Sequence, residues 1–285
     1  MNSKVNLVIS FAEMLQNIVK ETKDTDYKQT FDITVKALSS EDEGTTIFDV
    51  AYALHNSDAE KPMPAAVFEY LKTVYQIGID EGNPVCMNNM GSLYYTGRCG
   101  TQSYKKAREY YEMAVKTGYP LPAENLGYVY YYGRDTEINY EKAYKYFTMA
   151  ALQGQVEALY KVGDMYRYGY YVDKSPSTAF TLYNKAFNDA NNMDDCDCFG
   201  NILKRMGDAF YEGIGVDKSY NCALMFYQRA EQHFYTQIMD GDQYAQKDLE
   251  YVIKAQNTIR KKIVKELPAM NWKNKADQTA TSTSA

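Results

Sequence analysis

The chain has 285 residues, 45% of them apolar, enough for one or two folded domains with a substantial core, so disorder throughout is excluded. Its 31 Lys and Arg against 37 Asp and Glu give a net charge of -6, which offers a phosphate backbone no broad attractive field. No stretch approaches the roughly 18 consecutive apolar residues of a membrane span, and five irregularly spaced cysteines point to reduced thiols rather than a disulfide framework.

In chain order, the first elements are two amphipathic helices, Val5 to Lys20 and Asp26 to Leu38, which make residues 1–45 an N-terminal helical cap. The apolar run Val5 to Leu15 is interrupted by Asn6, Ser10 and Glu13 and no small-residue cleavage pattern follows it, so it is expected to belong to the mature, cytoplasmic protein. Next come Thr46 to Asn56 and Ala65 to Ile79, one degenerate helix pair over 46–82. Gly82 precedes Gly118 by 36 residues, and Gly118 precedes Gly154 by the same interval. A terminal unit has to cover the core while facing water, so departure from the internal pattern is expected there.

Residues 83–235 carry four copies of one template. Gly91, Gly127, Gly163 and Gly207 are each followed six positions later by Gly97, Gly133, Gly169 and Gly213, with Tyr94, Tyr130, Tyr166 and Phe210 at the third position between them. Alanines recur sixteen positions after the first glycine, at Ala107, Ala143, Ala179 and Ala223, and again seven later, at Ala114, Ala150, Ala186 and Ala230. Copies start 36, 36 and then 44 residues apart, which puts an eight-residue insertion around 191–198. Apolar spacings of three and four on both sides of the second glycine predict two helices per copy, with that glycine closing the first in the left-handed conformation. Ser103, Asn139, Ser175 and Ser219 share a column of N-cap residues for the second helix, and Pro176 sits in a first turn that tolerates it.

These segments, best seen in NLGYVYYYG and EKAYKYFTMAALQG between Asn125 and Gly154, resemble the Sel1-like repeat family, relatives of the tetratricopeptide repeats. The family's G-x-G-V loop stands only in the last copy, as GIGVDKS from Gly213; the others read GRCGTQS, GRDTEIN and GYYVDKS. The paired cysteines of the family's secreted branch are not matched. The resemblance implies an all-α fold, an α-solenoid of stacked antiparallel helix pairs with helical caps, whose first helices line a concave face.

At 100° per residue, positions −5, −4, −1, 0, +2 and +3 relative to the first glycine form one arc, which is the expected core. The opposite arc is the candidate partner-binding surface. It carries Asn89, Asn125, Lys161 and Arg205 in one column, and Ser92, Tyr128, Asp164 and Asp208 in a second. Tyr95, Tyr131, Arg167 and Tyr211 form a third, and Thr96, Tyr132, Tyr168 and Glu212 a fourth. Tyrosine and arginine combine large contact area with a hydrogen-bonding end, which suits a protein or peptide partner.

Beyond the repeats, Tyr244 to Leu267 places Leu249, Val252, Ile259 and Ile263 on one helical face, a closing cap within 236–268. Pro268 ends it, and residues 269–285 are too poor in apolar side chains to fold.

Catalytic chemistry finds no footing. His55 and His233 are the only histidines, expected at ordinary surface or cap positions, so neither a triad nor a multi-histidine metal site is available. DDCDC at Asp194 to Cys198 lacks the second ligand pair of a structural zinc site. The short GIGV turn has neither phosphate-loop nor dinucleotide spacing. The expectation is a non-catalytic adaptor binding a protein or peptide without cofactor, metal, nucleic acid or membrane. The alternatives are a structural subunit assembled through its cap helices and, more distantly, a hydrolase.

Overall fold

A computed structural model describes Glu13, Gln16 and residues 47–56, 65–98, 101–193, 196–242 and 244–266. The two N-terminal helices (apart from Glu13 and Gln16), Asp194, Asp195, Pro268 and the C-terminal tail lie outside the described residues. Among the described residues there are eleven helices and no strand. They are α1 (Ile47–Asn56), α2 (Ala65–Asp80), α3 (Pro84–Thr96), α4 (Tyr104–Val115), α5 (Leu121–Tyr132) and α6 (Tyr140–Leu152). α7 (Val156–Tyr168), α8 (Pro176–Asn191), α9 (Phe199–Glu212), α10 (Tyr220–Met239) and α11 (Ala245–Glu266) complete the chain.

The chain divides into two compact units at Val162 and Gly163, within α7. In the first unit, α1 to α6 each pack on the next helix in the chain; in the second, α8 to α11 do the same.

The helix boundaries follow from local chemistry. Ser103, Asn139, Ser175 and Ser219 each accept a hydrogen bond from the backbone N–H three residues on, satisfying donors that a helix start leaves open. At the other end of each first helix the chain turns through a left-handed glycine, for example Gly133 at φ 66°. The loops that follow differ in sequence yet close identically. The N–H of Ser103, Asn139, Ser175 and Ser219 donates to the carbonyl of Tyr94, Tyr130, Tyr166 and Phe210, each at 2.9 Å. Where the last copy has Gly215 at φ 67°, the second and third copies hold Asp135 at φ 57° and Tyr171 at φ 67°, so the turn is kept there at some steric cost.

The core arc is filled as its periodicity requires. Cys86, Met87, Met90, Gly91, Leu93 and Tyr94 are buried in α3, and Pro122, Ala123, Leu126, Gly127, Val129 and Tyr130 in α5. In α7 and α9 the first five positions are buried and the sixth, Tyr166 or Phe210, is half-buried. The first-column glycine has a specific partner. A Cβ on Gly91, Gly127, Gly163 or Gly207 would stand 2.5 to 2.7 Å from the ring of Tyr111, Phe147, Tyr183 or Tyr227, twenty residues ahead. The glycine is therefore the seat of an aromatic ring from the second helix, and the eight alanines, all fully buried, bring that helix close enough to fill it.

A second pair of columns stacks face to face: Tyr94 on Tyr110, Tyr130 on Tyr146 and Phe210 on Phe226, at centroid distances of 5.6 to 5.9 Å. In the first two copies a lysine, Lys106 or Lys142, covers the stack at 4.8 and 4.7 Å.

The degenerate unit keeps half of this device. His55, in the glycine column, is buried rather than an ordinary surface or cap residue, and its Nδ1 lies 3.0 Å from the hydroxyl of Tyr75, twenty residues ahead. The insertion does more than lengthen a loop. α8 has 16 residues and α10 has 20, against 12 and 13 in α4 and α6, and Phe234 of α10 seats on Gly200 of α9 as the column aromatics do on theirs.

Candidate partner-binding surface

In the first unit the candidate residues gather around cations. Tyr128 and Tyr132 of α5 stack at 6.0 Å, and Tyr131 meets Tyr132 edge-on at 5.0 Å. The buried Nζ of Lys161 lies over Tyr128 at 4.8 Å and within 6 Å of the rings of Tyr131 and Tyr132. Arg134, from the turn after α5, donates to the Tyr95 hydroxyl and covers the rings of Tyr95, Tyr104 and Tyr132 at 4.7 to 5.3 Å. Burial pushes the Tyr95 phenol up to about 12. Tyr132 remains half exposed, at 49%. Asn89 is buried, and Asn125 donates to Asn88 at 3.4 Å.

Beneath these rings lies a pair of carboxyls. Glu157 accepts from the hydroxyls of Tyr128 and Tyr160. Its neighbour Glu124 is pushed up to about 8, by burial first and then by the charge and hydrogen bond of Glu157, with Lys161 pulling the other way. Burial also holds Tyr128 well above the ordinary phenol range, with Tyr160 and Glu157 adding to it. At neutral pH the Glu124 carboxyl therefore keeps its proton.

In the second unit the same columns become ionic. The Tyr183 hydroxyl donates to Asp164 and the Tyr227 hydroxyl to Asp208, both at 2.7 Å, and Tyr251 of α11 donates to Asp208 at 2.8 Å. Arg205 grips Asp164 with Nε and Nη2 at 2.6 to 3.0 Å. Arg167 bridges Asp208 at 3.0 Å and Glu212 at 2.9 Å. Burial opposes the charge of Arg167, but Asp208 and Glu212 outweigh it and raise its affinity for the proton. Asp164, Arg167, Arg205, Asp208, Glu212 and Tyr251 line an open cavity of about 630 Å³ together with Lys174, Lys204 and Tyr168. Tyr168 is half exposed at 50% and rests on Arg167 at 5.1 Å. Tyr211 stands apart from this cavity, beneath Lys262 of α11 at 4.7 Å.

Five of the thirteen candidate residues, Asp164, Arg167, Tyr168, Arg205 and Asp208, thus share one cavity, and five more, Tyr95, Tyr128, Tyr131, Tyr132 and Lys161, belong to the first unit's aromatic face, while Asn89, Asn125 and Tyr211 belong to neither. Sequence reasoning missed Arg134, Glu124, Glu157, Lys204 and Tyr251. The repeated Gly-Arg at 97–98 and 133–134 was a signal for Arg134; Tyr251 lies outside every repeat and had none. Among the described residues, no group of three or more His, Cys, Asp or Glu side chains is placed to hold a metal ion. Nor is any described helix long and apolar enough to cross a membrane.

A family comparison finds the Sel1 repeat four times, at residues 84–119, 123–155, 156–191 and 203–232. The chain belongs to the Sel1 repeat family. Among solved structures this Sel1 repeat protein is similar to a Sel1 repeat protein from Oxalobacter formigenes, at 22% identity and a TM-score of 0.53, covering 64% of this chain and 66% of that one. It is also similar to a protective antigen of uropathogenic Escherichia coli strains displaying an SLR fold, at 20% identity and a TM-score of 0.57 over 87% of this chain and 49% of that one. The chain thus spans under two thirds of the first structure's length and about half of the second's, and identities this low show a shared fold alone. No curated protein matches the sequence. Sel1 repeat proteins generally mediate protein–protein interaction.

Proposed function

We propose that the chain is a non-catalytic scaffold whose fourth-column tyrosines are covered by partner protein, Tyr132 in the first unit and, in the second, Tyr168 beside a cavity that orients the partner's polar groups. The observation that carries this reading is that Tyr132 and Tyr168 each expose about half of their surface while resting on cations, Arg134 and Lys161 in one case and Arg167 in the other. A ring already fixed in place loses little freedom when a partner covers it, which favours binding at small cost in entropy. Arg167 and Arg205 are engaged by Asp208, Glu212 and Asp164, so their part is to set the shape and polarity of the floor. Affinity capture with the intact protein and with a Tyr132→Ala, Tyr168→Ala variant of equal thermal stability tests this. Loss of a partner from the variant is expected; an unchanged set of partners rules out this surface.

A second reading, assembly through the C-terminal helices, is favoured by Met239, Tyr244 and Val264, which are 85%, 89% and 67% exposed around the end of α10 and on α11. Light scattering of a Met239→Glu, Tyr244→Glu variant separates the two, since only assembly through this end would change the particle mass.

A further inference from the structure

The insertion that sets the fourth repeat apart brings two thiols together. Cys196 Sγ and Cys198 Sγ lie 3.4 Å apart, both half-buried, in a turn closed by the Phe199 N–H on the Cys196 carbonyl at 2.9 Å. Gln237 of α10 donates to the Asp197 carbonyl at 2.7 Å and so anchors the residue between them. Cys198 occupies the N-cap of α9, and its side chain does not cap the helix. A helix start favours an anionic sulfur, the reactive form of a thiol. Cys196 also lines a cavity of about 260 Å³ between the ends of α8 and α10, with Phe199 and His233 among its walls, large enough to admit a small oxidant.

We propose that Cys196 and Cys198 form a redox-active dithiol that a hydroperoxide converts reversibly to a disulfide. One thiolate attacks the peroxide, breaking the O–O bond to give a sulfenic acid and, with a proton, one water or alcohol. The second thiol then attacks that sulfur, expelling a second molecule of water as the S–S bond forms. The two sulfurs together lose two electrons and the peroxide takes both. The sulfurs need move together by only about 1.4 Å to reach the bonded distance near 2.05 Å. A ring that encloses one intervening residue restricts the unfolded chain little, so the bond is poorly suited to stapling the fold. Its compactness also makes it reducible, as a labile disulfide is.

The test treats the intact protein with hydrogen peroxide, alkylates the remaining thiols and maps each cysteine by mass spectrometry. The expected result is a peptide with Cys196 and Cys198 that has lost two hydrogens, resists alkylation, and regains both thiols with dithiothreitol. In Cys196→Ser or Cys198→Ser the remaining thiol should instead be trapped as sulfenic acid by dimedone. Full alkylation of both cysteines after peroxide overturns the proposal. So does pairing of either one with Cys86, Cys99, Cys222 or a second chain.

Discussion

The ring of Tyr183 lies on Gly163 while its hydroxyl donates to Asp164 at 2.7 Å, so two successive residues of α7 receive the two ends of one side chain from α8. Tyr227 does the same with Gly207 and Asp208. A hydroxyl that must reach the next residue fixes the ring's position along the helix, and the glycine fixes its depth. Burial and the adjacent Asp164 charge together push the Tyr183 phenol far above its ordinary range, which keeps it a donor at neutral pH.

The seat predicts a difference between glycines. Gly163→Ala places a Cβ 2.7 Å from the Tyr183 ring and should cost about 1–3 kcal/mol through overpacking, read as a lower urea midpoint at unchanged slope. Gly154→Ala has open space around it and suffers only from its φ of 88°, so a loss of about 1 kcal/mol is expected. A smaller loss at Gly163 than at Gly154 would contradict the assignment.

The ion pair of Arg205 and Asp164 has side chains only 12% and 7% exposed. Arg205→Leu leaves Asp164 with a buried charge and should destabilise by about 3–5 kcal/mol. Removing both partners, with Asp164→Leu added, should cost much less than the sum of the single changes, which chemical denaturation of the four proteins in a double-mutant cycle measures.

Glu124 gives stability a pH dependence with a defined sign. Its carboxyl sits at about 8 in the folded chain against 4.5 unfolded, so between those values the folded state holds more protons. The contribution is fully present below about 4.5 and is lost as pH rises through about 8, at up to about 1.4 kcal/mol per pH unit. Glu124→Gln should flatten this decline in a series of thermal melts from pH 5 to 8.

His55 acts in the opposite direction. Burial first, and the Arg98 charge second, lower it from 6.5 to about 4. Its contribution is present above 6.5 and is lost as pH falls through about 4. The loss falls between about 6.5 and 4, so the difference between His55→Phe and the parent in melts from pH 6.5 to 4 isolates the histidine from Glu124, which both proteins share. His55→Phe should be less acid-sensitive there than the parent.

Tyr171 holds φ 67° at the turn position that Gly215 fills in the last copy. Tyr171→Gly removes the steric cost of the left-handed conformation and restores chain entropy to the unfolded state, two effects that partly cancel. A net gain of roughly 0.5–1 kcal/mol in urea unfolding is expected; a loss would mean that the exposed Tyr171 ring contributes more than its backbone strain takes away.

The sequence alone determined the elements whose causes are local. The capping side chains of Ser103, Asn139, Ser175 and Ser219, the left-handed Gly97 column and the buried arc of each first helix depend on residues a few positions apart, and a repeat states them four times over. It also marked Gly91, Gly127, Gly163 and Gly207 as special without revealing that each seats a ring twenty residues ahead. Only the tertiary structure decided which charges and rings meet. Arg205 reaches Asp164 across 41 residues, Tyr251 reaches Asp208 across 43, and His55 turns inward to Tyr75. Those meetings depend on how one helix docks on the next, to within an ångström. Helical periodicity specifies the direction a side chain takes from its own axis, but leaves open what stands there to receive it.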